Sequence, residues 1–263
     1  MSMTLAKTWS RKGLKKTLWG PKTGSVLVLL VLGLILEVLI VSRIADPSIL
    51  AAPSEMIMSL QRLFVRDALA TAFLITLAQA LSAIVLAMLI GLPVGYALFR
   101  YDTLGRAYRG WLAAIFAAPL VLLYPLFLVI IGRNYGTTIT MGVISGTIPI
   151  ALYTCEALHR VSPTLLKVGA AFHLTPKQKF FLIQVPAAVP DAFTGFRLGL
   201  IYALVNIIGI EFLIDFGGLG RVVSNMFFRY DIPGMYATIL FIILISLLFL
   251  TVLKQVERWL RPV

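Results

Sequence analysis

Six stretches of this sequence are apolar for 18 residues or more: 25–42, 68–98, 111–131, 138–158, 191–213 and 235–253. A helical run of that length matches the roughly 30 Å hydrocarbon core of a bilayer. In lipid only helices or closed barrels satisfy their own backbone polar groups. The chain therefore reads as an all-α, polytopic membrane protein with six transmembrane helices. Composition agrees, since 60% hydrophobic against 13% charged residues is too apolar for a soluble domain. The net charge of +12 does not point to nucleic acid, because the bases lie between apolar runs and not on one face among aromatics. They sort by side of the membrane instead. With both termini cytoplasmic, sixteen Lys and Arg fall in inner segments, six in outer segments, and Arg197 within a span, as the positive-inside rule requires.

Residues 1–24 form a basic cytoplasmic tail without an acid, and 25–263 the transmembrane domain. The first run is longer than a signal-peptide core and Ala51-Ala52-Pro53 is a poor cleavage site, so it reads as an uncleaved anchor. Glu37 within it should face protein and not lipid. An outer loop follows, with turns at Asp46-Pro47 and Ala52-Pro53-Ser54 and a short helix from Glu55. Gly91-Leu92-Pro93 should bend the long second span. Pro119 and Pro125 in the third span and Pro149 in the fourth free backbone carbonyls. Such groups either line a translocation pathway or accompany simple kinks for packing. Asn134-Tyr135-Gly136 is a tight outer turn. Gly217-Gly218-Leu219-Gly220 lacks the Lys-Ser or Lys-Thr of a phosphate loop and reads as a turn in the outer loop between spans five and six. Cys155 is the single cysteine, which excludes an internal disulfide and a multi-cysteine metal site. With no paired carboxylates, metal spacing or nucleophile beside a base, the chain is expected not to be an enzyme and to bind no metal or cofactor itself.

The stretch 160–190 interrupts the oily sequence with two short helices. Ser162 caps the first and Pro163 opens it; Thr175 and Pro176 repeat the arrangement. Leu165, Leu166, Val168 and Phe172 fall on one side of the first, and Phe180, Phe181 and Ile183 on one side of the second. Lys167, Lys177 and Lys179 remain. Such a basic amphipathic hairpin either docks on a protein or lies on lipid headgroups. In span five, Arg197 and Glu211 are fourteen residues apart, about 21 Å along a helix, and cannot pair within it. Each either faces a pathway or bonds to a neighbouring helix. Asn206 between them is either a pore residue or a packing contact.

The hairpin and the span after it resemble the signature of permease subunits of binding-protein-dependent ABC importers, the nitrate, sulfonate and taurine group in particular. That family's motif is Glu-Ala-Ala, three residues, Gly, nine residues, Ile, one residue, Leu-Pro. Ile183, Val185 and Pro186 fit its end. At its start Lys167 stands at the glutamate, Val168 and Gly169 at the alanines, and His173 at the glycine. Gly195-Phe196-Arg197-Leu198 is similar to the family's Gly-Leu-Arg-Leu, Ile210-Glu211-Phe212 to its Ala-Glu-Phe, and Gly218-Leu219-Gly220 to its Gly-Leu-Gly. Ala52-Pro53-Ser54-Glu55 resembles its Pro-Ser-Pro-Ser-Glu turn, and Ala118-Pro119 with Tyr124-Pro125 its broken third span.

The resemblance implies a coupling element, with Lys167, Gly169, His173, Lys177, Phe180, Phe181 and Pro186 seated on a separate ATPase. It implies a homodimer or a heterodimer with a second permease, two ATP-binding subunits carrying ATP and Mg, and an extracytoplasmic solute-binding protein. All would sit in a bacterial inner membrane with lipid around them, importing a small polar, anionic solute. The candidate pathway residues are Pro119, Pro125, Pro149, Asn206, Arg197 and Glu211. Lys167 reverses a charge that would face the ATPase, and His173 stands where a left-handed turn favours glycine. Two other readings stay open: a proton-coupled secondary transporter or channel using Glu37 and Glu211, and a transport-inactive scaffold with a degenerate motif.

Overall fold

A proline without an N–H breaks the third span, as the resemblance to the family's broken span implies, and parts it into two helices where its length alone read as one. In the computed structural model, which describes residues 21–44, 46, 48–66 and 69–260, the third apolar run is broken and not one straight span. Helix α4 (Asp102–Ala117) ends because Ala118, directly before Pro119, is forced to an extended ψ of 148°. A 3-10 turn at Leu120–Leu123 follows, then α5 (Tyr124–Ile131), with Pro125 in its first turn where no N–H is needed. The two halves meet at 88°.

Helix is the only regular structure among the described residues. The chain forms two units, one ending at Ser54 and the other starting at Glu55. In the first, α1 (Pro21–Val41) is followed by a turn in which the Ser48 backbone N–H and hydroxyl donate to Asp46 Oδ1 at 2.9 and 2.7 Å, holding that carboxyl below the usual range. Glu37 does face protein: its carboxylate accepts from the Ser54 N–H at 3.1 Å and hydroxyl at 2.6 Å. The basic tail up to residue 20 lies outside the described residues.

The second unit comprises the rest of α2 (Pro53–Arg66), then α3 (Leu69–Arg100), α4, α5 and α6 (Tyr135–His159). It continues through α7 (Pro163–Ala171), α8 (Pro176–Lys179), a π-helical turn at Phe180–Gln184, α9 (Val185–Ile214), α10 (Gly218–Phe228) and α11 (Ile232–Leu260). Among the described residues four helical stretches are long and apolar enough to cross a membrane: 69–100, 135–159, 176–214 and 232–260, or five with the bent pair. Asn134 caps α6, its Oδ1 accepting from the Gly136 and Thr137 N–H groups at 2.7 and 3.3 Å.

Helix α6 is the axis of the second unit, packed between α3 and α9. Each of the three carries two glycines four residues apart: Gly91 and Gly95, Gly142 and Gly146, Gly195 and Gly199. A Cβ at Gly199 would stand 2.8 Å from the Gly146 carbonyl oxygen, and one at Gly91 2.8 Å from Ile150. In lipid there is no hydrophobic drive between helices, so backbone approach at small residues supplies the contact energy. Gly199→Ala is therefore expected to force α6 and α9 apart at a cost of about 1–3 kcal/mol, read as earlier thermal unfolding in detergent; an unchanged melting curve would contradict the crossing.

Two further expectations are corrected. The second hairpin helix and the fifth span are not separate elements: α8, the π-turn and α9 run unbroken for 39 residues from Pro176 to Ile214. At 1.5 Å per residue that is about 58 Å, well beyond the roughly 30 Å hydrocarbon core, so part of this rod stands outside lipid. The loop expected between spans five and six contains α10, whose Leu219, Val222 and Met226 bury against Leu63 of α2, Leu69 and Ala72 of α3 and Ala237 of α11. An Arg62–Asp231 ion pair ties α2 to the turn after α10.

Candidate functional site

Three arrangements in the second unit gather the polar and exposed groups. At one end lies the hairpin. Ser162 Oγ caps α7, accepting from the Thr164 N–H at 3.3 Å, and Thr175 with Gln178 forms a capping box on α8. Helix α7 closes with the His173 N–H donating to Ala170 O at 2.9 Å and the Leu174 N–H to Gly169 O at 3.1 Å, the paired bonds of a Schellman motif. His173 takes the left-handed position, φ 52°. A side chain there costs about 1–2 kcal/mol, so His173→Gly should tighten the turn and slow amide exchange at Leu174 about fivefold, whereas His173→Ala should not.

Gly169 is buried where the hairpin's two arms touch; a Cβ would fall 2.5 Å from Ile183 Cδ1. Phe180 turns inward, packing with Leu158, Val161 and Ala188 and against the Tyr96 ring at 5.0 Å. Phe181 turns outward at 66% exposed. Along α7, Leu166 joins the same core cluster, while Leu165, Val168 and Phe172 form an exposed apolar stripe. Lys167, Lys177, His173 and Pro186 are exposed too, and Lys179 is half-buried.

At the opposite end of α9 a carboxylate is enclosed. Glu211 is 0% exposed. Gln79 Nε2 donates to its Oε1 at 2.7 Å, the Gly220 N–H to its Oε2 at 2.9 Å, and the Thr76 hydroxyl lies 2.9 and 3.0 Å from the two oxygens. Thr76 in turn accepts from the Leu219 N–H at 2.8 Å, and Thr138 bonds Gln79 Oε1. One carboxyl group thus joins α3, α6, α9 and the first turn of α10. Gly218, with φ 62°, must lack a side chain because a Cβ would overlap the carboxylate. Beside it Arg133 Nε donates to Ile214 O at 2.6 Å, a cation on the C-terminal end of α9. Thr76, Gln79, Thr138 and Arg133 were not anticipated from sequence. An amide and two hydroxyls inside apolar spans are the signal that could have found them.

The third arrangement is a groove of about 320 Å³ along the break after α4, lined by Phe116, Ala118, Pro119, Tyr202, Asn206 and Gly209 with aliphatic neighbours. It brings together two of the expected pathway residues, Pro119 and Asn206. The others lie elsewhere: Pro125 is exposed on α5, and Pro149 is buried in α6. Arg197 pairs with Glu257 of α11 at 2.9 Å.

Residues 83–262 match the family of binding-protein-dependent transport system inner membrane components. The chain belongs to that family. It is thus a multi-pass permease of the ABC importer class, and the matched region takes in the groove, the hairpin and Glu211. The chain is 27% identical over 223 residues, 83% of its length and 87% of the relative's, to the formylaminopyrimidine transport permease protein ThiX of Halalkalibacterium halodurans. It is 32% identical over 178 residues to the glycine betaine/proline betaine transport system permease protein ProW of Salmonella typhimurium, covering 65% of this chain and 49% of ProW, so only about half of that relative is matched. The fold is that of a chain in inward-facing crystals of the MetNI methionine ABC transporter, with TM-score 0.61 and 21% identity over 71% of this chain and 93% of the other. The nitrate, sulfonate and taurine group is not what these relatives are named for.

Proposed function

We propose that this permease carries a small polar solute across the membrane as half of a dimer, homomeric or with a second permease, driven by two separate ATP-binding subunits that hold ATP and Mg. A solute-binding protein delivers the cargo at the end of the unit where Glu211 lies, and the hairpin end faces the cytoplasm. In this reading the bent pair is one span and α1 another, giving six, with both termini cytoplasmic.

The single observation that carries the reading is the hairpin's surface. Leu165, Val168 and Phe172 leave an apolar strip of α7 bare, Phe181 is bare on the second arm, and Lys167 and Lys177 are exposed on the same hairpin. The strip is mounted on a capped helix pair whose second arm is continuous with a membrane span. An apolar helix face of this kind is buried in a partner's groove, and any movement of that partner is passed directly into α9. Lys167 and Lys177 call for acids at the partner's rim.

An anionic cargo is the finer expectation from the nitrate, sulfonate and taurine resemblance. It fits the groove poorly, since none of the groove's lining residues is a cation. The test of the importer reading is ATP-dependent uptake by the chain reconstituted with the ATPase that co-purifies through the hairpin; uptake by the chain alone without ATP would overturn it.

A further inference from the structure

We infer that the groove at the α4 break receives the positive end of the cargo, a diffuse cation of the methylated-ammonium type, and not an anion. The inference rests on the importer reading and deepens it. Three features of the groove point the same way.

First, the groove is bounded by the place where α4 ends. The last carbonyls of a 16-residue helix present a partial negative charge of about half a unit, and Pro119 supplies no N–H to offset it. Second, Phe116 and Tyr202 stand together there, ring centroids 4.5 Å apart and tilted at 61°, and aromatic faces attract cations with low hydration. Third, Asn206 is 92% buried, from a relative exposure of 8%, and its Nδ2 gives one N–H to Tyr202 O at 3.0 Å. Its Oδ1 acceptor and one neutral N–H remain for a ligand, with no charged donor among them.

Aromatic rings, a helix C-terminus and neutral polar groups therefore line the groove, and no Lys, Arg or His does. An anion placed there would lose its hydration without gaining a donor of matching charge. A strongly hydrated primary ammonium would need more acceptors than the groove offers, whereas a methylated one needs only polarisable faces. The volume of about 320 Å³ is at the small end of ligand pockets and restricts the cargo to a compact molecule.

The experiment uses the full chain in nanodiscs and two probes with equivalent methyl signals, tetramethylammonium and methanesulfonate, read by saturation-transfer NMR. Tetramethylammonium should give a titratable protein-dependent signal at least fivefold stronger than methanesulfonate at equal concentration. Phe116→Leu and Tyr202→Leu, which keep apolar volume and remove the ring, should each weaken it at least threefold; Tyr202→Phe should retain it. A methanesulfonate signal equal or greater, no tetramethylammonium signal, or full retention in both Leu variants overturns the inference. ATPase co-purification is measured on the same preparation. A missing probe signal with the ATPase bound sinks the cargo assignment alone, and a bound probe without ATPase sinks the importer reading alone.

Discussion

Glu211→Ala should unfold this permease about 3–5 kcal/mol more readily, the largest single-residue effect in the second unit. The substitution strands the Gly220 N–H, Gln79 Nε2 and the Thr76 hydroxyl in a buried space, and each unsatisfied buried donor costs about 1–3 kcal/mol. The loss is not the full sum, because Thr76 and Gln79 can turn to other acceptors. For a chain of this size the change corresponds to a fall of roughly 10 °C in the melting temperature, measurable by tryptophan fluorescence in detergent. Glu211→Gln keeps the volume but points an NH2 at one of those donors, so it should lie between wild type and alanine. If the alanine variant melts within a degree of wild type, the four-helix junction is not held by this carboxylate. Thr76→Val, removing the hydroxyl that serves both Glu211 and Leu219, should show part of the same loss and little more when combined with Glu211→Ala.

The same residue shows how far the sequence could be read. An acid inside a span announces a partner but not its address: Thr76 and Gln79 lie more than 130 positions away, and only the antiparallel packing of α3 and α9 joins them. Four of the spans, within 69–100, 135–159, 176–214 and 232–260, were legible because their apolar length is set by the bilayer. Their interruptions were legible only in part, since Pro119 breaks its helix while Pro149, Pro186 and Pro190 ride inside theirs; the difference depends on which carbonyls neighbours can satisfy. The left-handed turn at His173 followed from motif spacing and is present at φ 52°. The paired glycines of α3, α6 and α9 stand at a spacing of four in the sequence, but each pair signifies a crossing only when the other two face it. Helix α10 was hidden by its brevity and by the glycines at its start, which read as a turn.

Phe180 and Phe181 are neighbours in sequence, and opposite outcomes are expected when each becomes aspartate. Phe181 is 66% exposed, so Phe181→Asp leaves the hairpin folded and puts a charge into whatever groove covers the apolar strip. Burying an unpaired carboxylate costs several kcal/mol, which is more than a hundredfold in affinity. ATPase co-purification should vanish while the melting temperature holds within about 2 °C. Phe180 instead fills the cluster of Leu158, Val161 and Ala188 beneath the hairpin, so Phe180→Asp should lower the melting temperature itself, with lost association following from a displaced hairpin. Lys167→Glu adds a sign test on the same surface. If the partner presents acids to the exposed lysines, reversal weakens association, and more so at low salt, where screening is least; if the partner instead has the base that the family's glutamate would meet, reversal strengthens it. Undiminished ATPase capture by Phe181→Asp would remove the hairpin face from the contact, whatever the lysine result.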